Sequence, residues 1–255
     1  MSQFERYDRQ FYEARCDGSL QSARAIVPMV LHYFSVGSVV DIGCGIGTWL
    51  KVFEENGVPD ILGIDGPHID QNMLIIQKEK FLAADLRSQL NIPGRYDLAV
   101  SLEVAEHLPE ELSTAFVMRL TAAAPIVLFS AAVPGQPGIE HINAQWQDYW
   151  RTIFRDRSYV ALDLVRPMIW GRQDVDYWYQ QNTIIYCHDT IAAARSDLPW
   201  AFEKTSLNIV HPALYEQITQ DYEERIKTLS NPSFGNVIRS IPTVTIKTLR
   251  QHLQS

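Results

Sequence analysis

The chain has 255 residues, of which 46% are hydrophobic and 20% are charged. This is the composition of a folded globular protein, and it excludes a disordered or fibrous chain. There are 22 basic and 30 acidic residues, which gives a net charge of −8. Because phosphate backbones attract basic surfaces, we expect no nucleic-acid partner. We also expect no membrane partner, since no apolar run reaches the roughly 18 residues that a membrane span needs.

The cysteines indicate the compartment. The chain has three of them, Cys16, Cys44 and Cys187, and they are far apart in sequence. They form neither a disulfide framework nor a zinc site of the paired type. The first residues also lack the apolar stretch of a secretory signal. We therefore expect the protein in a reducing cytoplasm.

Hydrophobic periodicity predicts a helix over residues 7–34, where apolar residues recur every three or four positions. Strand and helix signals then alternate. The predicted strands are 38–42, 61–65, 80–84, 98–102, 126–129, 159–165 and 183–186. The predicted helices among them are 47–55, 109–123 and 146–154, and a further helix is predicted over 213–229. Continuously apolar strands that alternate with helices indicate an α/β sheet covered on both faces.

The same pattern suggests three regions. We place an N-terminal helical cover at residues 1–36, the main domain at 37–189 and a helical C-terminal appendage at 190–255. The cover is either a lid over a ligand or a fixed core helix. The appendage is either a lid, a docking arm or a dimer contact, or else a flexible basic tail. A homodimer through the appendage is therefore one of our predictions.

A glycine-rich turn follows the first predicted strand. Gly43, Gly45 and Gly47 permit positive φ angles and a close approach of a ligand, and the N–H groups of the following helix can bind an anion. Asp65 ends the second strand, where a carboxylate can accept hydrogen bonds from ribose hydroxyls. Asp85 ends the third strand, where it can accept from an adenine amine. These strand ends predict one nucleoside ligand, and the alternative is a tight turn that binds nothing.

These residues, together with the segment 101–109 (SLEVAEHLP), resemble class I S-adenosylmethionine-dependent methyltransferases, and most closely the bacterial small-molecule group that is like the ubiquinone-biosynthesis enzymes. The resemblance covers residues 18–189. It implies a Rossmann-like, seven-stranded, mostly parallel sheet with helices on both faces. It also implies S-adenosylmethionine as the cofactor. The glycine spacing GxGxG, preceded by Asp41, favours this group over NAD-dependent oxidoreductases, which more often show GxGxxG.

The resemblance also implies which residues bind the cofactor. They are Asp41, Gly43, Cys44, Gly45, Gly47, Asp65, Gly66, Asp85, Leu86 and Leu102. The first five would hold the methionine part and the next two the ribose. The pair at 85 and 86 would flank the adenine, and Leu102 would face the sulfonium.

An acid–histidine cluster supplies the candidate catalytic residues Glu103, His107 and His141. A hydroxyl that accepts a methyl group must lose its proton, and an imidazole suits that task at neutral pH. We favour His141 as the base or acceptor contact and His107 as a residue that orders the loop. Glu106 lies three positions after Glu103, so the same set can also bind a divalent cation such as Mg²⁺. Our site assignment contains no metal, and the cation is the alternative.

The acceptor side is predicted in the loop after the fifth strand and the helix that follows it. Asn143, Trp146 and Trp150 combine an amide with two rings four residues apart, which suits a sugar ring or a secondary metabolite. The alternative is that the rings pack in the core. We therefore expect methyl transfer to a small acceptor, most simply to an oxygen of a sugar, glycan or secondary metabolite. The rivals are an NAD-dependent oxidoreductase and a non-catalytic cofactor-binding module.

Overall fold

Strands and helices alternate through residues 9–88, 90–198 and 206–230, which are the residues that the computed structural model describes. The strands are β1 (Ser38–Ile42), β2 (Asp60–Asp65), β3 (Phe81–Ala83), β4 (Leu98–Leu102), β5 (Ile126–Ser130), β6 (Tyr159–Leu162) and β7 (Ile184–His188). The helices are α1 (Arg9–Tyr33), α2 (Thr48–Glu55), α3 (Ser113–Ala123), α4 (Gln147–Arg155), α5 (Arg166–Ile169), α6 (Tyr177–Asn182), α7 (Asp189–Ala193) and α8 (Pro212–Ser230). Among these helices, none is long and apolar enough to cross a membrane.

The strands form one sheet in the order β3-β2-β1-β4-β5-β7-β6. Strands β1 to β5 pair in parallel, whereas β7 runs antiparallel to both β5 and β6. The chain leaves β1 toward one edge and returns to place β4 on the other side of β1. In open sheets of this kind, ligands bind at the carboxyl ends of the strands where the order reverses. The predicted mostly parallel, seven-stranded sheet is confirmed.

Successive strand residues point to opposite faces, and this alternation divides the core into two clusters. Val39 and Leu98 pack on the side that carries α1 and α2, while Val40 and Ala99 pack on the side that carries α3 and α4. All four side chains are fully buried. Helices therefore cover both faces of the sheet, which explains why its strands are apolar throughout.

Helix α1 belongs to the first of these clusters. Its residues Ala23, Ile26, Val27 and Val30 are fully buried, and they recur at the spacing of one helix face. The part of the predicted N-terminal cover that carries these residues is thus an element of the core, as in the second of our two interpretations.

Several element boundaries differ from the predicted ones for local reasons. Helix α3 begins at Ser113 rather than at 109, because a 3₁₀ turn over Glu110–Leu112 comes first. Strand β6 ends at Leu162 rather than at 165, since the chain turns where Asp163 binds the Arg166 guanidinium. Helices α5, α6 and α7 were not predicted, because four to six residues are too few to show a helical period.

The first compact unit of the chain extends to His211. The segment before α8 is fastened to this unit, because Arg166 donates to the Leu207 carbonyl oxygen at 2.8 Å and the His211 N–H donates to the Gln181 side chain at 2.7 Å. The first compact unit thus extends past the predicted boundary at residue 190, and the division into three regions stays a prediction. The second unit contains α8, and the basic residues predicted for the tail lie outside the described residues, so the homodimer stays a prediction.

Candidate active site

A cavity of about 260 Å³ lies at the carboxyl ends of β1, β2 and β4. One wall is the glycine loop after β1, and Asp65 and Leu86 lie beside it. Leu102 and the residues after β4 form the next part. Ser19 of α1 and His68 after β2 also line the cavity. The loop after β5 and the start of α6 add Gln136, Pro137, Ile139, His141, Trp178 and Tyr179. The cavity is thus at the point where this type of sheet binds ligands.

The glycine loop has a conformation that side chains would disturb. Gly43 and Gly47 have φ angles of 90° and 92°, in the left-handed region that favours glycine. A Cβ atom at Gly43 would collide with Val104, and one at Gly47 would meet Ile76. Gly43, Cys44 and Gly45 line the cavity, whereas Gly47 is not part of the lining. The N–H groups of Gly43 and Cys44 donate to the Ile64 carbonyl oxygen, which fastens the loop to β2.

Asp65 ties two walls of the cavity together. Its carboxylate accepts hydrogen bonds from the N–H groups of Gly45 and Gly66, both at 2.6 Å. Burial raises the pKa of Asp65, and these two N–H donors partly offset the effect. Each carboxylate oxygen has a second lone pair, so Asp65 can still accept from hydroxyl groups in the cavity.

Asp41 lies beneath the cavity rather than on its wall. Only 2% of the residue is exposed, and Oδ2 has no hydrogen-bond partner among the described residues. Burial raises the pKa of Asp41 well above its usual value, and the charge of Asp65 raises it further. Asp41 is therefore a buried acid outside the cavity lining, and its contact with a ligand stays a prediction.

The two residues predicted to flank the adenine lie in different places. Leu86 is buried and lines the cavity, and Arg119 holds its carbonyl oxygen at 2.7 Å. Asp85 is exposed and is not part of the lining. Its carboxylate accepts from the Arg87 N–H at 2.9 Å and from the Ser88 hydroxyl at 3.1 Å. Asp85 thus stabilises its own turn, and of the pair only Leu86 lies against the cavity.

Glu103 and Leu102 enter the cavity from the end of β4. Glu103 has a φ of 56°, which is unusual for a residue with a side chain. Its N–H donates to the carbonyl oxygen and the hydroxyl of Ser130. The Glu103 carboxylate accepts from Gln136 at 2.6 Å and from Asn182 at 3.1 Å. Two amides therefore fix the orientation of the Glu103 carboxylate.

Glu106, His107 and His141 form a separate cluster, in which ligand atoms of all three lie within 4.8 Å of one another. His141 Nδ1 lies 3.0 Å from the Gln136 carbonyl oxygen, and His107 Nδ1 lies 3.3 Å from that of Glu140. Since a carbonyl oxygen only accepts, each Nδ1 carries a proton and each Nε2 of the neutral ring is left as an acceptor.

Glu106 is the most buried acid of the site. It is fully buried, and neither carboxylate oxygen makes a well-formed hydrogen bond within the described residues. Its Oε1 lies 4.0 Å from Nε2 of His141. Burial raises the pKa of Glu106 well above its usual value, the charge of Glu103 adds to this, and the nearby N–H groups of Glu106 and Ala132 offset part of it. The cluster can therefore hold a proton or a small cation.

The predicted acceptor residues are not brought to the cavity wall. Asn143 is buried and donates to the Ser113 hydroxyl at 3.0 Å, so it holds the loop. Trp150 is 2% exposed and packs against Phe129 in the core. Trp146 is 41% exposed and precedes the first turn of α4. The two tryptophans thus do not form one exposed aromatic face, and the core alternative is correct for Trp150.

Other lining residues were missed from the sequence. Thr48 and Trp49 line the cavity directly after the glycine loop, and their place at the start of α2 is a usable signal. Gln136 lies in the loop that we assigned to the acceptor, although we favoured its neighbours. Tyr179 comes from the unpredicted helix α6, where its ring packs edge-on against Trp49 at 5.1 Å. Nothing in the local sequence of Tyr179 indicates that position.

Comparison with known protein families decides the class. A family model described as "Methyltransferase domain" matches residues 21–211, which is most of the chain. The chain belongs to the methyltransferase family. The match ends at His211, where the first compact unit ends. The resemblance drawn from the glycine loop and the segment 101–109 is confirmed at the level of the family.

A curated relative agrees with this methyltransferase assignment. The ubiquinone biosynthesis O-methyltransferase of Methylococcus capsulatus is 26% identical over 129 residues, and the match covers 45% of this chain and 54% of that protein. The chain thus spans about half the length of this curated relative.

Solved structures share the fold at low identity. A chain of the complex of the Haloferax volcanii Trm112 methyltransferase activator is 16% identical, with a TM-score of 0.53, and the match covers 74% of this chain and 98% of that one. The plantazolicin methyltransferase BpumL, solved with a monoazolic desmethylPZN analog and SAH, is 13% identical, with a TM-score of 0.51 and coverage of 72% and 88%. At these identities the likeness shows the fold.

Proposed function

We propose that the chain transfers a methyl group from S-adenosylmethionine to a hydroxyl group of a small acceptor. The observation that carries the proposal is the cavity at the strand ends, which joins the glycine loop and Asp65 to the carboxylate–histidine side. Membership of the methyltransferase family supports it. So does the presence of SAH, the demethylated cofactor, in the related fold of BpumL.

The cavity residues fit such a cofactor. When bound, S-adenosylmethionine supplies an electrophilic methyl group on a positively charged sulfur. The start of α2, where Thr48 and Trp49 line the cavity, would bind the carboxylate of the methionine end, because the first N–H groups of a helix have no acceptor within the helix and attract an anion. Asp65 would accept from the ribose hydroxyls, and Leu86 would lie against the base. A Cβ atom at Gly43 would collide with Val104, so this part of the cavity wall has no room for a larger residue.

On the acceptor side, His141 would take the proton. Its Nδ1 is anchored to the Gln136 carbonyl oxygen and carries the proton, so Nε2 is the nitrogen of the neutral ring that can accept one. During methyl transfer, Nε2 would accept the proton that the acceptor hydroxyl loses. His107 packs edge-on against this ring, with 5.1 Å between ring centroids, so it fixes the orientation of His141.

A second candidate for this step is a divalent cation. Glu106 offers two buried carboxylate oxygens without well-formed hydrogen bonds, and His107 and His141 offer Nε2 atoms. Histidines that bind metals commonly donate the other ring N–H to a backbone carbonyl, as both do here. A cation at this cluster would lower the pKa of the acceptor hydroxyl in place of the imidazole.

Chelation separates the two candidates. Turnover that is unchanged in excess EDTA assigns the proton to His141 alone. Turnover that is lost in EDTA and restored by added Mn²⁺ or Mg²⁺ assigns the step to a bound cation. Direct titration of the protein with each metal provides a second measurement that does not depend on turnover.

For the acceptor we propose a sugar, glycan or secondary metabolite. The cavity lining also carries the rings of Trp178 and Tyr179. Such rings suit flat or hydroxylated molecules. We keep the cytoplasm as the proposed location.

The test is a mass-spectrometric screen of hydroxylated small molecules with S-adenosylmethionine. The expected result is an acceptor that gains one methyl group while SAH accumulates. Calorimetry with S-adenosylmethionine and with NADH distinguishes the rivals. Binding of NADH alone would point to an oxidoreductase, and tight S-adenosylmethionine binding with no turnover on any acceptor would point to a non-catalytic module.

A further inference from the structure

A group of side-chain amides holds Glu103 on the cavity wall. Gln136 Nε2 donates to one carboxylate oxygen at 2.6 Å, and Asn182 Nδ2 donates to the other at 3.1 Å. The same Asn182 amide also lies 2.9 Å from Gln136 Oε1, so the two amides are bound to each other. The carboxylate is thus gripped at both oxygens.

The amides that grip Glu103 are themselves fixed. Gln181 Nε2 donates to Gln136 Oε1 at 3.3 Å and to Asn182 Oδ1 at 3.0 Å. Gln136, Gln181 and Asn182 are 7%, 0% and 2% exposed. Water therefore competes little for these bonds, and a buried network in which the members satisfy one another is rigid. Glu103 cannot turn away from the cavity without leaving buried amide donors unpaired.

The cavity wall is acidic. Asp65, Glu103 and Glu106 line it together with His68, His107 and His141, and the lining among the described residues contains no lysine and no arginine. Glu106 and Asp65 are buried acids with raised pKa values, and the charge of Glu103 is one cause of the raised pKa of Glu106. Both oxygens of Glu103 accept hydrogen bonds from amides, which fix the carboxylate in place. In a partly buried site, a fixed carboxylate attracts a cation far more than it would in water.

We propose that Gln136 and Asn182 are positioning residues that hold the Glu103 carboxylate in the cavity. There it makes the site prefer the methyl donor, which is cationic at sulfur, to the product SAH, which is uncharged at sulfur. This inference rests on the proposed function. S-adenosylmethionine carries a positive charge at sulfur, and SAH lacks it. A fixed carboxylate distinguishes the two by charge alone, since their other groups are the same. The transfer step itself would then weaken the hold on the spent cofactor.

Calorimetry with three ligands tests the proposal. S-adenosylmethionine and SAH differ in the charge at sulfur, and sinefungin has an amine at the same place, which is protonated at neutral pH. In Glu103→Gln, the ratio of the SAH to the S-adenosylmethionine dissociation constant should fall about tenfold, the change that corresponds to about 1.4 kcal/mol. The ratio for SAH against sinefungin should fall in the same direction. Glu111→Gln, which removes an exposed acid outside the cavity, should change neither ratio.

The positioning role is tested with Gln136→Met and Asn182→Leu, which keep the approximate size but remove the donors. Both variants should lower the same ratios by less than Glu103→Gln does. Equal loss of affinity for all three ligands would show a merely structural role for the amides. Unchanged ratios in Glu103→Gln would overturn the proposal. If the unaltered protein binds none of the three ligands, the proposed function fails instead.

Discussion

The backbone N–H of Gly45 donates to the Asp65 carboxylate at 2.6 Å. The contact joins the loop after β1 to the end of β2, across 20 positions of sequence. Asp65 therefore shapes the glycine loop and at the same time presents its remaining lone pairs to the cavity. A substitution that removes both carboxylate oxygens should therefore weaken ligand binding more than one that keeps an oxygen acceptor.

Asp65→Ala should weaken S-adenosylmethionine binding by about 1–3 kcal/mol, the usual loss when a charged hydrogen-bond partner is removed. Asp65→Asn keeps one oxygen acceptor and should lose less. Calorimetry measures both. Asp70→Ala is the matched control, because this exposed acid lies nearby in sequence and binds only within its own turn, to Asn72. An unchanged affinity in Asp65→Ala would remove Asp65 from the ribose role.

Gly43→Ala should lower both the stability and the donor affinity. Gly57 is a matched control, because its φ of 87° is close to the 90° of Gly43 but it has nothing within 4 Å of an added Cβ. Gly57→Ala should thus cost only the left-handed backbone penalty, about 1–2 kcal/mol of the free energy of unfolding. Gly43→Ala adds the collision with Val104, which should cost about 1–3 kcal/mol more.

Urea denaturation and calorimetry give the two readouts for this pair. Gly57→Ala should leave the donor dissociation constant unchanged, while Gly43→Ala should raise it. Equal losses of stability in the two variants would mean that Val104 moves aside without cost.

Asp41→Asn should raise stability at neutral pH. Burial raises the pKa of Asp41 in the folded chain above the value of about 3.9 found in unfolded chains. The folded state therefore binds the proton more tightly, and stability falls as pH rises from the unfolded pKa through the folded one. Above that window the wild-type chain carries the full cost of the buried charge, which asparagine does not.

Thermal unfolding followed at a series of pH values from acidic to neutral measures this effect. The variant should show a higher midpoint at neutral pH and a flatter pH dependence. Asp97→Asn is the contrast. The Asp97 carboxylate accepts hydrogen bonds from the N–H groups of Gly37 and Ser38, so this variant should be less stable than the wild-type protein. A lower midpoint in Asp41→Asn at neutral pH would show that the charge itself holds the loop.

The sequence predicted the features that are local in the chain. The glycine loop and Asp65 follow strands whose apolar runs are visible without tertiary information, and parallel strands bring their carboxyl ends to one edge. The position of this part of the site therefore followed from the order of the elements. Asp85 had the same local signal, but the sequence could not show that its carboxylate caps its own turn.

Features that depend on tertiary packing were not predictable in this way. Glu103 is 33 positions from Gln136 and 79 from Asn182, and no periodicity connects them. Trp150 has the same spacing relative to Trp146 whether its ring faces solvent or the core. Its burial is decided by contact with Phe129 on β5, which helical periodicity does not reveal.

His141→Ala should lower turnover with little effect on donor affinity, because we propose that this ring contacts the acceptor. Gly138 allows a second perturbation that keeps the imidazole. A Cβ atom at Gly138 would collide with the His141 ring at Nε2, and the backbone there does not need glycine. Gly138→Ala should thus displace the ring and lower turnover in the same way. Gly37→Ala, where an added Cβ meets only ordinary contact with Asp97, is the control.

Turnover assays at saturating S-adenosylmethionine, together with calorimetry of S-adenosylmethionine binding, separate the outcomes. A loss of donor affinity in His141→Ala with turnover retained at saturation would place His141 at the cofactor. Full turnover in both His141→Ala and Gly138→Ala would show that another group accepts the proton.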